Sequence, residues 1–215
     1  MIDRRAFVLS STLAGSAPLL PEISLRLASE LLPLWRRTER ELEAAGVPPP
    51  YWAFAWAGGQ ALARHVLDNP ALVAGREVLD LGAGSGLVGI AAAKAGARRV
   101  VAADIDVFAA EAIALNAAAN GVTIEVVTDD QIGSARAWTT ILVGDLCYER
   151  PVAERLLAWL GEQARGGARV LLGDPGRSYF PEATLTRLAV YAVQTTQEIE
   201  DREVRETGVY LFGEW

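Results

Sequence analysis

The residues with the clearest chemical potential stand together at Asp80-Leu81-Gly82-Ala83-Gly84-Ser85-Gly86. A short apolar run, Glu77-Val78-Leu79, leads into the acid, and Leu87 to Ala93 follows with the composition of a helix. An apolar strand, glycines at alternate positions and a helix N-terminus make the usual cradle for the ribose or phosphate of a nucleotide. Read as D-x-G-x-G-x-G, with Leu87 directly after Gly86, the spacing sets aside the dinucleotide fingerprint G-x-G-x-x-G. Asp104 closes a second apolar run, Arg99-Val100-Val101-Ala102-Ala103, about 20 residues past the glycine turn, where such folds place a ribose-binding acid. A carboxylate there accepts hydrogen bonds from both ribose hydroxyls and repels a 2′-phosphate. Asp106 fits the N-cap of a helix over Val107–Ala119, and Asn120-Gly121 fits its C-cap.

Elements alternating in type must position these groups. Glu22–Ala45 carries Ile23, Leu27, Leu31, Leu34, Trp35 and Leu42 at helical spacing, kinked by Pro33 and closed by Gly46 and Pro48-Pro49-Pro50. The aromatic stretch Tyr51-Trp52-Ala53-Phe54-Ala55-Trp56 precedes Ala57-Gly58-Gly59-Gln60, read as a loop before a helix over Ala61–Leu67. Further strands are predicted at Thr123–Thr128, Trp138–Leu146 and Ala168–Leu172, with helices from Pro151 through Leu160 and from Pro181 to Leu188. Val190–Glu200 and Thr207–Trp215 then read as a hairpin-like pair. The sum is an α/β fold: a doubly wound, Rossmann-like seven-stranded sheet with an antiparallel edge strand and an N-terminal helical cap. Residues 1–49 form the cap and 50–215 the catalytic domain. Ligands of such sheets sit beyond the carboxyl ends of the strands, where every chemically interesting loop of this chain falls.

Composition narrows the classes of function. The chain has 215 residues, 51% of them hydrophobic, and a net charge of -7. That balance disfavours nucleic acid, whose phosphates need basic patches, and suits a lysine-bearing protein surface. Cys147 and His65 are the one cysteine and the one histidine, so neither a disulfide framework nor a cysteine or multi-histidine metal centre is expected. No stretch reaches the roughly 20 apolar residues that span a bilayer. Asp3-Arg4-Arg5-Ala6-Phe7-Val8-Leu9 is similar to a twin-arginine export signal, but Ser10, Ser11, Thr12, Ser16 and Pro18 break its apolar run. The alternative is an N-terminal helix that packs Phe7, Val8 and Leu9. The expectation is a cytoplasmic monomer without membrane or nucleic-acid contact.

The glycine stretch resembles motif I of the class I S-adenosylmethionine-dependent methyltransferases, in which glycines let backbone approach the amino-acid end of the cofactor. Within that reading the Trp56 indole can wall the cationic sulfonium. Asp130, in Asp129-Asp130-Gln131 after the third strand, either reads the adenine amino group or caps a surface turn.

Several stretches together resemble the seven-strand protein lysine methyltransferases, and within them the electron transfer flavoprotein β-subunit lysine methyltransferase family. They are Pro50 to Gln60, the glycine turn, Asp145-x-x-Tyr148 after the fourth strand and Asp174-Pro175-Gly176-Arg177 after the fifth. The resemblance covers nearly the whole chain. It implies S-adenosyl-L-methionine as cofactor, S-adenosyl-L-homocysteine as product and a protein lysine as acceptor. Cofactor contacts are implied at Trp56, Asp80, Gly82, Ala83, Gly84, Gly86, Asp104, Ile105 and Asp130. Asp145 orients the amine through its carboxylate or backbone oxygen, Tyr148 walls the lysine channel, and Arg177 meets an acid on the partner or braces Asp174. The prolines that shape a pocket for planar nitrogen in [N/D]-P-P-[Y/F] enzymes are missing from Asp145-Leu146-Cys147-Tyr148. Alternatives are a nicotinamide-like or ribosomal-protein N-methyltransferase and a catalytically silent cofactor-binding module. A nicotinamide-dependent oxidoreductase is set aside on Leu87 and on the lack of a tyrosine–lysine pair.

Overall fold

The computed structural model describes residues 3–28, 48–195 and 203–213. Its centre is a 7-stranded sheet in the order β5-β4-β3-β6-β7-β9-β8, with a separate 2-stranded hairpin β1-β2 near the N-terminus. The strands are β1 (Leu13–Ala17), β2 (Leu20–Leu27), β3 (Glu77–Leu81), β4 (Arg99–Ala103), β5 (Glu125–Val127), β6 (Thr140–Gly144), β7 (Arg169–Asp174), β8 (Thr186–Gln194) and β9 (Val204–Phe212). The helices are α1 (Arg4–Ser11), α2 (Ala57–Asp68), α3 (Leu87–Lys94), α4 (Val107–Ala119) and α5 (Arg150–Arg165).

Successive residues of a strand face opposite sides of the sheet, so β3 feeds two cores. Val78 packs with Leu62 and Val66 of α2 and Ile90 of α3, whereas Leu79 packs with Leu156, Trp159 and Leu160 of α5. Burying each such Leu contributes roughly 1.5–3 kcal/mol. A smaller cluster joins Val8 of α1 to Phe108, Ala109 and Ala112 of α4 and to Trp52. Strands β3, β4 and β5 run in parallel on one side of the centre, and β6 and β7 in parallel on the other. The chain thus reverses its direction of travel between β3 and β6, and a crevice opens there at the carboxyl ends. β9 runs antiparallel to β7, and β8 pairs outside it as the edge strand.

Several expected elements differ. The helix read over Glu22–Ala45 is a strand through Leu27, with Leu20, Ile23 and Leu25 buried against α2 and α3. Leu31, Leu34, Trp35 and Leu42 lie outside the described residues. The segment read as a helix from Pro181 to Leu188 is a single 3-10 turn at Glu182–Thr184, and β8 already starts at Thr186. Gly58-Gly59-Gln60 belongs to the first turns of α2, not to a loop. The Arg4-Arg5 stretch is helix α1, capped by Asp3, with Val8 buried, Phe7 edge-on to Phe108 at 5.1 Å and Leu9 exposed.

Candidate active site

The glycine turn takes a backbone path that other residues rarely adopt: φ is 65° at Gly82, 52° at Gly84 and 78° at Gly86. Its amides are directed by neighbouring strands. Ala83 N–H donates to the Ala103 carbonyl, and Gly84 N–H donates to Asp104 Oδ2 at 2.8 Å. Asp104 Oδ1 accepts the Asp106 amide at 2.9 Å, and Asp106 caps α4 by accepting from Phe108 N–H. Burial raises the Asp104 pKa, and the two amide bonds pull the other way. Asp80 lies beneath the turn, 1% exposed, and accepts the Gly89 amide at 2.7 Å. Burial pushes its pKa to about 7. It braces the end of β3 against α3 and does not reach the crevice surface.

A cavity of about 410 Å³ opens beside this turn, lined by Gly82, Asp104, Ile105, Asp129, Asp130 and Ile132 among others. Ile105, 74% exposed, adds an apolar side chain to the lining next to Asp104. Gly82 is the member of the turn that lines the cavity. Ala83, Gly84 and Gly86 shape the turn. Both Asp130 oxygens have protein partners: Oδ2 meets Arg155 at 2.8 Å and Oδ1 accepts Ile132 N–H at 2.9 Å. Asp130 thus turns the local chain and also lines the cavity.

A second cavity, about 210 Å³, adjoins the first and is lined by Tyr51, Trp56, Gly82, Gly144, Asp145, Leu146, Tyr148 and Arg177. Tyr51, Gly82, Leu146 and Tyr148 line both. The two tyrosine rings meet edge to face at 5.8 Å, and Tyr51 meets Trp56 at 6.0 Å. Burial raises the Tyr148 pKa, with Glu149, Tyr51 and Asp104 adding to the push, so its phenol stays protonated at neutral pH. Trp56, expected beside the cofactor sulfonium, lines the smaller cavity. Its indole N–H donates to the Tyr51 carbonyl, and the cation over its ring is the Arg177 guanidinium at 5.6 Å.

Asp145 is the one non-glycine described residue with positive φ, at 57°. Its carboxylate is held on both sides. Arg177 Nη2 and Nε donate to Oδ1 at 2.6 and 3.0 Å, and the Gly59 amide in the first turn of α2 donates to Oδ2 at 2.9 Å. Three protein donors, two of them from Arg177, thus already rest on this carboxylate. Close approach of α2 to the sheet makes this possible: a Cβ on Gly58 would stand 2.5 Å from Asp145 Oδ2 and nearer still to the Gly173 carbonyl oxygen. The Arg177 side chain pairs with Asp145, and its amide donates to Asp174 Oδ1 at 2.6 Å. Asp174 is 2% exposed, and burial pushes its pKa to about 7.

Two contributors were missed in the sequence. Asn116, fully buried on α4, donates to the Ser85 carbonyl and accepts from Arg26 N–H, tying the glycine turn to β2. An amide within an alanine-rich helix was the available signal. Gly89 completes the spacing Gly84-x-Gly86-x-x-Gly89, so the exclusion of an oxidoreductase on Leu87 does not hold. Its amide on Asp80, and the 3.0 Å from its Cβ position to Asp80 Oδ2, explain a glycine there.

The pattern of the family described as Ribosomal protein L11 methyltransferase (PrmA) matches residues 61–144. A Xenopus laevis protein named electron transfer flavoprotein beta subunit lysine methyltransferase is 40% identical over 215 residues, covering 97% of this chain and 86% of its own. A Danio rerio protein of the same name is 41% identical over 218 residues, covering 98% and 83%. Among solved structures, magnesium protoporphyrin IX methyltransferase from Synechocystis PCC 6803 with bound SAM superposes with a TM-score of 0.53 at 20% identity, over 72% of this chain and 79% of that one.

Proposed function

The chain belongs to the electron transfer flavoprotein beta subunit lysine methyltransferase family, and on that premise we propose that it methylates a lysine of that flavoprotein subunit with S-adenosyl-L-methionine. The observation that carries the reading is the pair of adjoining cavities that share Tyr51, Gly82, Leu146 and Tyr148. One suits the cofactor and the other its acceptor.

The larger cavity fits the cofactor. Its volume of about 410 Å³ falls within the span usual for small-molecule sites. A carboxylate, Asp104, stands ready for the ribose hydroxyls, an apolar residue, Ile105, for the adenine face, and the left-handed Gly82 admits backbone close to the ligand. When bound, S-adenosyl-L-methionine supplies a methyl on a sulfonium sulfur, which leaves as a neutral thioether as the N–C bond forms. What remains for the chain is to deliver a nucleophile and keep water out.

A lysine amine must arrive uncharged. With an ordinary pKa of about 10.4, deprotonating it near pH 7.5 costs about 4 kcal/mol. The smaller cavity answers with an aromatic wall: Tyr51, Trp56 and Tyr148 line a slot for the aliphatic stem. Exposed acids at the rim, Asp129 and Glu149, favour the approach of a basic protein surface. Release of the last amine proton after methyl transfer goes to bulk water.

The test is incubation of the purified chain with the recombinant flavoprotein subunit and, separately, with nicotinamide, each with labelled cofactor. Lysine methylation mapped by peptide mass spectrometry is the expected result. Label found only in nicotinamide would overturn the proposed acceptor.

A further inference from the structure

We propose that Arg177 is a positioning residue that occupies the Asp145 carboxylate so that the acceptor cavity cannot hold the substrate lysine as an ammonium ion. The inference rests on the lysine-methylating reading above and deepens it.

A carboxylate in the wall of a small, half-enclosed cavity is an ammonium trap. In low dielectric the ion pair strengthens steeply, and the trapped amine keeps the proton it must lose before it can attack. Asp145 stands in such a wall, its side chain 9% exposed. Here the trap is disarmed from two directions. Two Arg177 nitrogens donate to Oδ1, and the Gly59 amide, at the positive end of α2, donates to Oδ2. The carboxylate charge is neutralised, and the guanidinium faces the cavity beside the Trp56 ring. Arginine suits this task because its fork stays charged at any working pH and binds a carboxylate with more than one nitrogen.

Among the described residues, the other ionisable groups named around the pair leave the entering amine no second charged acceptor. Asp174, from the end of β7, is buried and turned toward the Gly176 and Arg177 amides at 2.7 and 2.6 Å. Cys147 is buried, and its thiol is pushed up to about 12, so it is uncharged. Tyr51 and Tyr148 present phenols to the cavity, and Asp104 lies in the neighbouring cavity with amides on both of its oxygens. Removing Arg177 would therefore take the guanidinium from the Asp145 carboxylate and present its charge to the entering amine.

The readout is the pH dependence of kcat at saturating cofactor and flavoprotein subunit, which reports ionisations in the bound complex. Arg177→Met is expected to move the rising limb upward by about one pH unit or more. At neutral pH its kcat falls at least about tenfold and recovers as pH rises, with KM for the protein substrate unchanged or lower. Arg177→Lys, which keeps a charge, stays close to wild type. Asp145→Asn alone leaves the guanidinium uncompensated and moves the limb downward, and the Asp145→Asn, Arg177→Met double variant returns it toward wild type. A uniform loss of kcat at every pH in Arg177→Met, with the midpoint fixed, would overturn the proposal. Should that variant not fold, an unmoved midpoint in Asp145→Asn overturns it equally. If wild type methylates no lysine of the flavoprotein subunit, the functional reading fails instead, and the two failures are distinguishable.

Discussion

The two halves of the crevice are built by opposite means. On the cofactor side, β3 and β4 deliver Asp80, Gly82, Gly84 and Asp104 from two short stretches, and main-chain amides of Gly84, Gly89 and Asp106 fix the acids. On the acceptor side, Trp56, Gly59, Asp145, Tyr148 and Arg177 come from three distant parts of the chain, joined by a charged pair and aromatic edges. A site made of backbone demands little of side chains beyond glycine and an acid, so unrelated enzymes can share it. On the proposed function, the site made of side chains carries the choice of acceptor. The match to the ribosomal-protein methyltransferase family ends at Gly144, one residue before Asp145, whereas the flavoprotein-lysine relatives match almost throughout.

The sharpest way to break that contrast is to force the halves apart. Gly58→Ala places a methyl against Asp145 Oδ2, just past β6, and against the Gly173 carbonyl of β7. The expected loss of stability is about 3 kcal/mol or more, read as a lowered urea midpoint. An unchanged midpoint would show that α2 can lift from β6 and β7 at little cost, and the helix would then not be what fixes Asp145. Next in size is Asp104→Ala. Each ribose hydroxyl given to a charged acceptor is worth about 1.5–3 kcal/mol, so affinity for S-adenosyl-L-homocysteine is expected to fall about 100-fold by calorimetry. A loss under threefold would move the ribose site elsewhere.

How much of this was legible follows the same division. The β3–turn–α3 unit and Asp104 were readable because their signal is local: an apolar run, an acid, glycines at alternate positions, then a helix. Asp106 and Asn120-Gly121 were readable as caps for the same reason. Ile23 and Leu27 satisfied a helical period, yet the buried set is Leu20, Ile23 and Leu25, set by pairing with β1. Thr186 to Val190 lost its strand signal because an edge strand leaves much of itself exposed. Gly58-Gly59 reads locally as a helix breaker; only contact with Gly144, Gly173 and Asp145 explains glycine inside α2. The Arg177–Asp145 pair, 32 residues apart, leaves no local trace.

A smaller effect separates Asp80 and Asp174 from ordinary acids. Asp80 binds its proton more tightly folded than unfolded, because burial raises its pKa from 3.8 to about 7. Between those values the folded state holds more protons, so stability contributed by this group falls as pH rises through that window and levels off above it. Asp174 acts in the same direction. Asp80→Asn is expected to flatten part of the decline in urea-unfolding stability between pH 5 and pH 8, by on the order of 2 kcal/mol. An equal slope in variant and wild type would mean that water reaches Asp80 beneath the turn.

The smallest effect is expected at Asp130, and its smallness is informative. The carboxylate already serves Arg155 and the Ile132 amide, and both members of the ion pair are largely solvated, so the pair is worth under about 1 kcal/mol. Asp130→Asn keeps an oxygen for Ile132 and loses only the charge. Calorimetry with S-adenosyl-L-homocysteine is then expected to show a change of about threefold or less, against the far larger loss at Asp104. A tenfold loss at Asp130 would mean that the adenine amino group is read by this carboxylate in competition with Arg155. The cofactor half would then depend on a side chain as the acceptor half does, and the contrast between them would narrow to the ribose alone.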